Sequence, residues 1–562
     1  MFKLVECVPN FSEGRDRAVI DEITAEISAT ADVKLLDVDP GADTNRTVVT
    51  FIGTPDACVE AAFKAIKKAG ELIDMTKHKG AHGRMGATDV CPFVPVAGVT
   101  MEDCAELAKR LGKRVAEELK IPVYLYEEAA QKPERQNLAN CRKGEYEGLP
   151  EKLKDPEWAP DFGEPVFNAK SGLTTIGARE FLIAYNVNLN TRDAKKAKDI
   201  AMTIREAGRA KRDDDGEIVR DDDGKAIKEQ GRLTFCKGTG WYIDEYAMAQ
   251  ISMNLTNYKV TPHHIAVEVC REEAQKRGLV VTGTELVGLI PKAAMLMAGK
   301  YYLEKQGKCP GQPEKELIRV AAQSLGMSEV APFNPKEKII EYQFADDAGS
   351  LRAMTLCDFA DELSTDSPAP GGGSVAALAG SMCASLAAMV ANLTHGKKGY
   401  EDKNDEMAEV ALAGQPMKDE FLQLIDTDAK AFDNVMAKMR MKKKTPEEKA
   451  ARNAAVQEAT KEATLVPLSV LKKSLDALKL AKVVAEKGNV NSLSDAGVSA
   501  MMGYAAAEGA YMNVVINLAG IEDKEFVERT KAEADELLAS CKELSDSIRK
   551  EVMDRLIANI KV

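Results

Sequence analysis

The chain has 562 residues and a formal net charge of −13, with 45% hydrophobic and 29% charged residues. That length exceeds a single hydrophobic core and predicts about three domains of ordinary soluble globular composition. The acidic balance argues against a nucleic-acid partner, because binding the phosphate backbone needs a basic surface; an anionic substrate must instead meet a local basic patch.

Eleven cysteines run from Cys7 to Cys541 without a Cys-x-x-Cys pair. An odd, widely spaced set suits reduced thiols and a cytoplasmic protein. Glu6 interrupts the opening apolar residues, so no signal peptide is expected. The uncharged run Ser367 to His395 has the length of a membrane span, but it is Ala, Gly and Ser rather than Leu and Ile. It therefore predicts a buried, tightly packed helix and no membrane partner.

In chain order, a strand is predicted over 3–8, a turn over 9–14, a helix over 16–28, and strands over 34–38 and 47–52. A helix over 55–73, a polar loop, a strand over 90–96, a helix over 101–119 and a strand over 122–126 complete an α/β block with a mixed sheet. The stretch 132–172, with five prolines, reads as too turn-rich for regular structure. A second α/β block opens with one strong strand over 176–186, a helix over 191–208 and an acidic tandem repeat over 212–227. The repeat lacks calcium-loop spacing and reads as a solvated hairpin. Strands over 241–244 and 250–254, a helix over 262–277 and a strand over 279–282 follow, and Thr284 to Leu289 closes the block. His263 and His264, in that helix's first turn, take a structural role by default. Beyond about Pro332 no segment alternates and Ala, Leu, Lys and Glu dominate, which predicts an all-α domain. The expected division is two α/β subdomains, 1–173 and 174–331, a linker over 332–350, and a helical domain over 351–562. Ala376, Gly380, Ala384 and Ala388 give the first long helix a small face for close packing, and Thr445-Pro-Glu-Glu448 is a helix start.

Three stretches carry candidate chemistry. The loop Thr76 to Phe93 holds His78, His82, Lys77, Lys79 and Arg84 among glycines. It reads as half a metal site, as two surface histidines, or as a general base beside cations that hold a carboxylate. Asp39 and Arg46 flank a strand-to-loop junction, a usual place for working residues. In the helical domain, Gly371-Gly-Gly-Ser374 opens a helix and serves either anion binding or packing. Asp426 and Asp428 project from different faces of one helix, so at most one faces a pocket. A carboxylate in a partly apolar cleft would have its pKa raised and could shuttle protons.

Val5-Glu-Cys-Val-Pro-Asn-Phe-Ser-Glu-Gly14, Thr44-Asn-Arg-Thr47, Ile73-Asp-Met, Arg84-Met-Gly-Ala, Asp89-Val-Cys-Pro-Phe93, Trp158-Ala-Pro-Asp-Phe-Gly163, Pro370-Gly-Gly-Gly-Ser-Val375 and Asn513-Val-Val-Ile-Asn-Leu518 occur in one order. With them the chain resembles, nearly end to end, the formimidoyltransferase-cyclodeaminase family, bifunctional folate enzymes of histidine breakdown. The resemblance implies transfer of a formimino group from N-formiminoglutamate to tetrahydrofolate, then cyclisation to 5,10-methenyltetrahydrofolate with loss of ammonia. It implies His82 as general base with Asp39, Arg46, Arg84 and Glu285 binding substrate, although some members carry Gln where Glu285 stands. It implies a folate-contacting stretch over Gly163, Glu164, Pro165, Val166, Phe167, Asn168, Ala169, Lys170, Ser171 and Gly172, and Asp428 as the cyclodeaminase acid/base. The implied one-carbon unit rides on folate, a polyglutamate substrate, so neither metal nor redox cofactor is required. Lys397, Lys398, Arg440 and Lys442 to Lys444 are candidates for the polyglutamate tail, though such a charge run is more often a solvated face. The family pattern implies a homo-oligomer. Two further readings keep the transferase with a helical domain used only for assembly, or make the chain a folate-binding scaffold.

Overall fold

The computed structural model describes residues 3–41, 45–80, 83–213, 215–221, 224–244, 246–344, 349–367, 369–558 and 560. By compactness the chain divides into one unit of residues 1–298 with 322–345 and another of 299–321 with 346–562.

The first unit holds two sheets. Strands β1 (Leu4–Cys7) and β2 (Asn10–Phe11) share one row between β4 (Arg46–Gly53) and β5 (Thr88–Ala97), antiparallel to both. β3 (Val33–Gly41) pairs with the outer side of β4. Beyond β5, β7 (Thr174–Ala178) and β6 (Val123–Glu127) add in parallel, so the sheet is mixed as its element order predicts. Helices α1 (Arg17–Ser28), α2 (Pro55–Leu72) and α3 (Met101–Arg114) cover this sheet. Asp16 caps α1 through the N–H groups of Ala18 and Val19, and Thr100 and Asp103 form a capping box on α3. A π-helical turn, Val115–Leu119, continues α3 to Lys120.

Two readings are corrected here. The stretch 132–172 contains the short helices α4 (Leu138–Arg142) and α5 (Glu145–Lys152), the second with Pro150 inside it. Capping by Asn137 and burial of Cys141 and Leu149 outweigh the turn-forming composition. The strong strand expected over 176–186 is two strands: β7 belongs to the first sheet and β8 (Ile183–Leu189) to the second. The break at Ala-Arg-Glu-Phe carries no glycine or proline to mark a turn, only the charged pair Arg179-Glu180.

The second sheet is antiparallel in the order β11 (Cys236–Ile243), β12 (Met248–Leu255), β8, β13 (Val281–Val287). Helices α6 (Ala194–Ile204) and α7 (His263–Lys276) pack on it. The tandem repeat stands on a two-strand base, β9 (Arg209–Ala210) with β10 (Lys228–Glu229), as a hairpin reading requires. His263 and His264 are buried, and burial lowers their pKa values to about 3 and about 4, so both are neutral structural groups. Helices α8 (Lys292–Lys305), α9 (Glu314–Leu325), α10 (Pro335–Lys338) and α11 (Ile340–Phe344) follow, with Ile339 and Ile340 fully buried.

The second unit is helical. After α12 (Leu356–Leu363) come α13 (Gly372–Thr394), α14 (Asn404–Met439), α15 (Pro446–Lys487), α16 (Leu493–Leu518) and α17 (Lys524–Ala558). α13 is long and apolar enough to cross a bilayer, but it packs against α14, α15 and α16. Its small face is buried as predicted: a Cβ on Gly380 would lie 2.4 Å from the Phe421 ring, and Gly414 of α14 meets Ala388. Thr445 and Glu448 form the capping box of α15.

Gly380→Val should overpack the α13–α14 contact at a cost of about 1–3 kcal/mol, visible as faster amide hydrogen exchange over 372–394. A second test concerns Glu6, buried on β1. Burial pushes its carboxyl from 4.5 up to about 7, with Arg179 opposing and Glu341 reinforcing the rise. The folded state then binds this proton more tightly than the unfolded chain. Its contribution to stability is full below about 4.5, declines as pH rises, and levels off above about 7. Glu6→Gln should flatten that decline in denaturation curves measured across the same range.

Candidate functional sites

The polar loop of the first unit is held from below by one carboxylate. Asp89, fully buried on β5, accepts from Arg46 Nη1 and Arg142 Nη2 at 2.5 Å each through Oδ2, and from the Met85 N–H at 3.0 Å through Oδ1. Arg46 Nε also donates to Asn10 Oδ1 at 3.1 Å. Burial lowers the Arg46 pKa and Asp89 opposes it, so the guanidinium depends on this partner. One carboxylate thus ties the start of β4, α4 and the loop before β5 together.

Above it, His78 Nδ1 accepts from Arg84 Nε at 3.2 Å, which leaves Nε2–H to donate to the Asn45 carbonyl at 2.8 Å. These partners assign the neutral Nε2–H tautomer. Arg84 is buried and forks onto both oxygens of Glu147, at 2.7 and 2.8 Å, with Glu145 at 3.3 Å. Its charge is therefore met by the protein's own carboxylates, and it acts on the loop as a brace. Asp39 is exposed on β3, paired with Val48 while Arg46 pairs with Gly41, which puts it diagonally across from Arg46 on one sheet face. His82 lies outside the described residues; Gly83 beside it packs against Glu145.

Arg46 and Arg142 line a cavity of about 450 Å³ together with Arg179, Lys237, Glu127 and Glu128. A second cavity, about 940 Å³, is walled by Phe162, Gly163, Glu164 and Val166 to Ala169, with Lys113 and Lys120 opposite. The stretch 163–172 is pinned at its far end by Met75 N–H to Lys170 O, Tyr146 Oη to Ala169 O, and a bridge from Gly172 to Gly86. Gly172 has φ +67° and a Cβ there would strike the Met85 carbonyl at 2.1 Å, so glycine is required. Pro122 borders the second cavity and Tyr126 the first, so the two open at opposite ends of β6, about 13 Å apart by strand rise.

Glu285 stands on the second sheet, away from these groups in sequence and strand. It accepts from Asn186 and Gln250 at 3.0 Å and from Tyr246 Oη at 3.1 Å. Sequence reasoning missed Asp89, Arg142, Arg179 and Lys237, and only the spacing Asp89-Val-Cys-Pro-Phe93 flagged any of them.

In the helical unit the two aspartates diverge as their spacing predicts. Asp426 takes Ser350 Oγ at 2.6 Å and Arg352 at 3.3 Å. Asp428 turns to the glycine-rich start of α13, where Ser374 Oγ donates to its Oδ2 at 3.0 Å. Burial lifts its pKa above the ordinary carboxylate range, and the Ser374 hydroxyl and N–H pull against that rise. Arg440 and Lys442 to Lys444 are exposed at the end of α14 and beyond it.

Two α/β sheets with a cation-lined cavity, followed by a helical bundle with a half-buried carboxylate at a helix start, describe a two-part enzyme. Residues 4–179 match the family described as "Formiminotransferase domain, N-terminal subdomain", residues 184–345 match "Formiminotransferase domain", and residues 355–536 match "Formiminotransferase-cyclodeaminase". The chain is 44% identical over 544 residues to the formimidoyltransferase-cyclodeaminase of Rattus norvegicus, covering 96% of this chain and 97% of that one. It is 47% identical over 321 residues to the glutamate formimidoyltransferase of Thermoplasma acidophilum, covering 57% of this chain and 98% of that one. It is 40% identical over 202 residues to the methenyltetrahydrofolate cyclohydrolase of Methylorubrum extorquens, covering 36% of this chain and 97% of that one. The chain belongs to the formimidoyltransferase-cyclodeaminase family.

Asp89→Ala should destabilise the first unit by about 3–5 kcal/mol, because it leaves the buried Arg46 and the partly buried Arg142 without their shared partner. Thermal unfolding checks this, and a loss under about 1 kcal/mol would show that the pair is not the loop's anchor.

Proposed function

We propose that the chain transfers the formimino group of N-formimino-L-glutamate to N5 of tetrahydrofolate, and then closes 5-formiminotetrahydrofolate to 5,10-methenyltetrahydrofolate with release of ammonia. The observation that carries this reading is the family match at 44% identity across both parts of the chain. The transferase is assigned to 1–331, its two subdomains meeting after β7, which completes the first sheet, with the linker at 332–350 and the cyclodeaminase at 351–562.

In the first reaction, N5 attacks the formimino carbon and a tetrahedral intermediate forms. One proton leaves N5 and another reaches the departing glutamate nitrogen. His82 serves both transfers as general base and then general acid, a contribution of about 10²–10⁴-fold. Asp39 orients His82, while Arg46, held by Asp89, faces the cation-lined cavity where the carboxylates of formiminoglutamate find a complementary field. Arg84 braces the loop through His78, and Glu285 presents its carboxylate from the second sheet. Tetrahydrofolate lies along Gly163 to Gly172, and the anionic tail of the folate meets Lys113 and Lys120.

In the second reaction, N10 attacks the same carbon and ammonia is protonated as it leaves. Asp428 takes the proton from N10 and returns one to nitrogen, and its raised pKa suits both transfers. Folate is a substrate here, and neither step requires a metal or redox cofactor. The active form is a homo-oligomer.

The test uses wild type, His82→Ala and Asp428→Ala with formiminoglutamate and tetrahydrofolate. Wild type should form methenyl-folate, glutamate and ammonia. His82→Ala should release little glutamate, and Asp428→Ala should release glutamate without ammonia. Wild-type ammonia release by Asp428→Ala would remove the helical acid/base, and no glutamate from wild type would refute the transferase.

A further inference from the structure

Asp428 stands on α14, yet the groups that fix its carboxylate belong to α13. Ser374 is fully buried and its hydroxyl donates to Asp428 Oδ2 at 3.0 Å. Ser374 is also the third residue of α13, whose N-cap is Gly371, a residue with no side chain to offer. Its backbone N–H is therefore one of those that a helix start leaves without a carbonyl partner, and it too acts on the Asp428 carboxylate. Gly373 is what lets the two helices come this close. A Cβ at that position would lie 2.3 Å from Oδ1 and 2.6 Å from Oδ2. No residue of α13 from Gly372 to Thr394 is charged, so this helix brings no cation to the carboxylate. Asp426, on Asp428's own helix, is directed elsewhere, to Ser350 and Arg352.

A carboxylate on a long helix has several rotamers open to it, and proton transfer works only from the one that reaches the reacting nitrogen. Misplacement by about 1 Å can cost about 10²-fold in rate. We propose that Ser374 is a positioning residue for the ring-closing reaction: its hydroxyl and N–H hold the Asp428 carboxylate in one orientation over the space that Gly373 leaves open. This rests on Asp428 being the acid/base of that reaction. It assigns the glycine-rich start of α13 a task in catalysis distinct from helix packing, because the contact it makes room for is a carboxylate and not an apolar side chain.

The experiment measures ammonia release from 5-formiminotetrahydrofolate by the full chain carrying Ser374→Ala, Ser374→Thr, Gly373→Ala or Asp428→Asn, with glutamate release from formiminoglutamate as the internal control. Ser374→Ala should lower kcat for ammonia release about 10–100-fold while KM stays within about threefold, the pattern of a lost transition-state alignment. Ser374→Thr, which keeps the hydroxyl, should recover most of that loss. Gly373→Ala, which displaces the carboxylate without touching the donor, should fall as Ser374→Ala does, and glutamate release should stay at the wild-type rate in all four. A Ser374→Ala kcat within about twofold of wild type, or equal losses in the Ala and Thr variants, would overturn the positioning role while leaving Asp428 in place. Full ammonia release by Asp428→Asn would instead refute the reading on which the proposal rests.

Discussion

The first unit depends on a fully buried carboxylate meeting two guanidiniums. Asp89 joins Arg46, Arg142 and the Met85 N–H, and those groups come from three separate segments. Charges taken out of water are tolerated only when geometry and hydrogen bonding compensate their lost hydration. Here every oxygen of Asp89 is engaged, and Asn10 takes a further Arg46 donor. The pairing therefore fixes the backbone at Met85. From there the loop's position is transmitted to Arg84, His78 and the Gly86–Gly172 bridge, which ends the stretch lining the larger cavity. Two cavities at opposite ends of β6 thus share one electrostatic anchor.

The helical unit holds its carboxylate by other means. Asp428 has a hydroxyl and a helix-start N–H for partners, and no guanidinium. Burial and hydrogen bonding then act in opposite directions, and burial prevails, so the carboxyl gains a proton more readily than a solvated one. A carboxylate locked by two arginines suits structure; one balanced against a neutral hydroxyl suits proton exchange. The difference comes from α13 being uncharged throughout, the same property that makes it read as a membrane-length segment.

Local signals were readable where the physics is local. Thr445 caps the helix it precedes, the small face of α13 is buried, and the two-residue spacing of Asp426 and Asp428 sends them to different partners. What the linear order hid depends on contacts distant in sequence. Asp89 lies 43 residues from Arg46 and 53 from Arg142. Nothing in spacing or composition pairs them. The break between β7 and β8 is marked only by the charged pair Arg179-Glu180, with no glycine or proline to signal a change of sheet. Arg84 reads from sequence as a cation offered to a ligand, but Glu145 and Glu147, more than sixty residues away, take up its donors.

An acidic chain that handles anions has to confine its positive field. The formal charge of −13 repels a multiply charged substrate at long range, so attraction must come from cations at close quarters in a cavity where water screens less. The smaller cavity places Arg46, Arg142, Arg179 and Lys237 among the carboxylates Glu127, Glu128 and Glu180, with Asp89 engaged by Arg46 and Arg142 beneath it. The acids at the wall keep the field short in range.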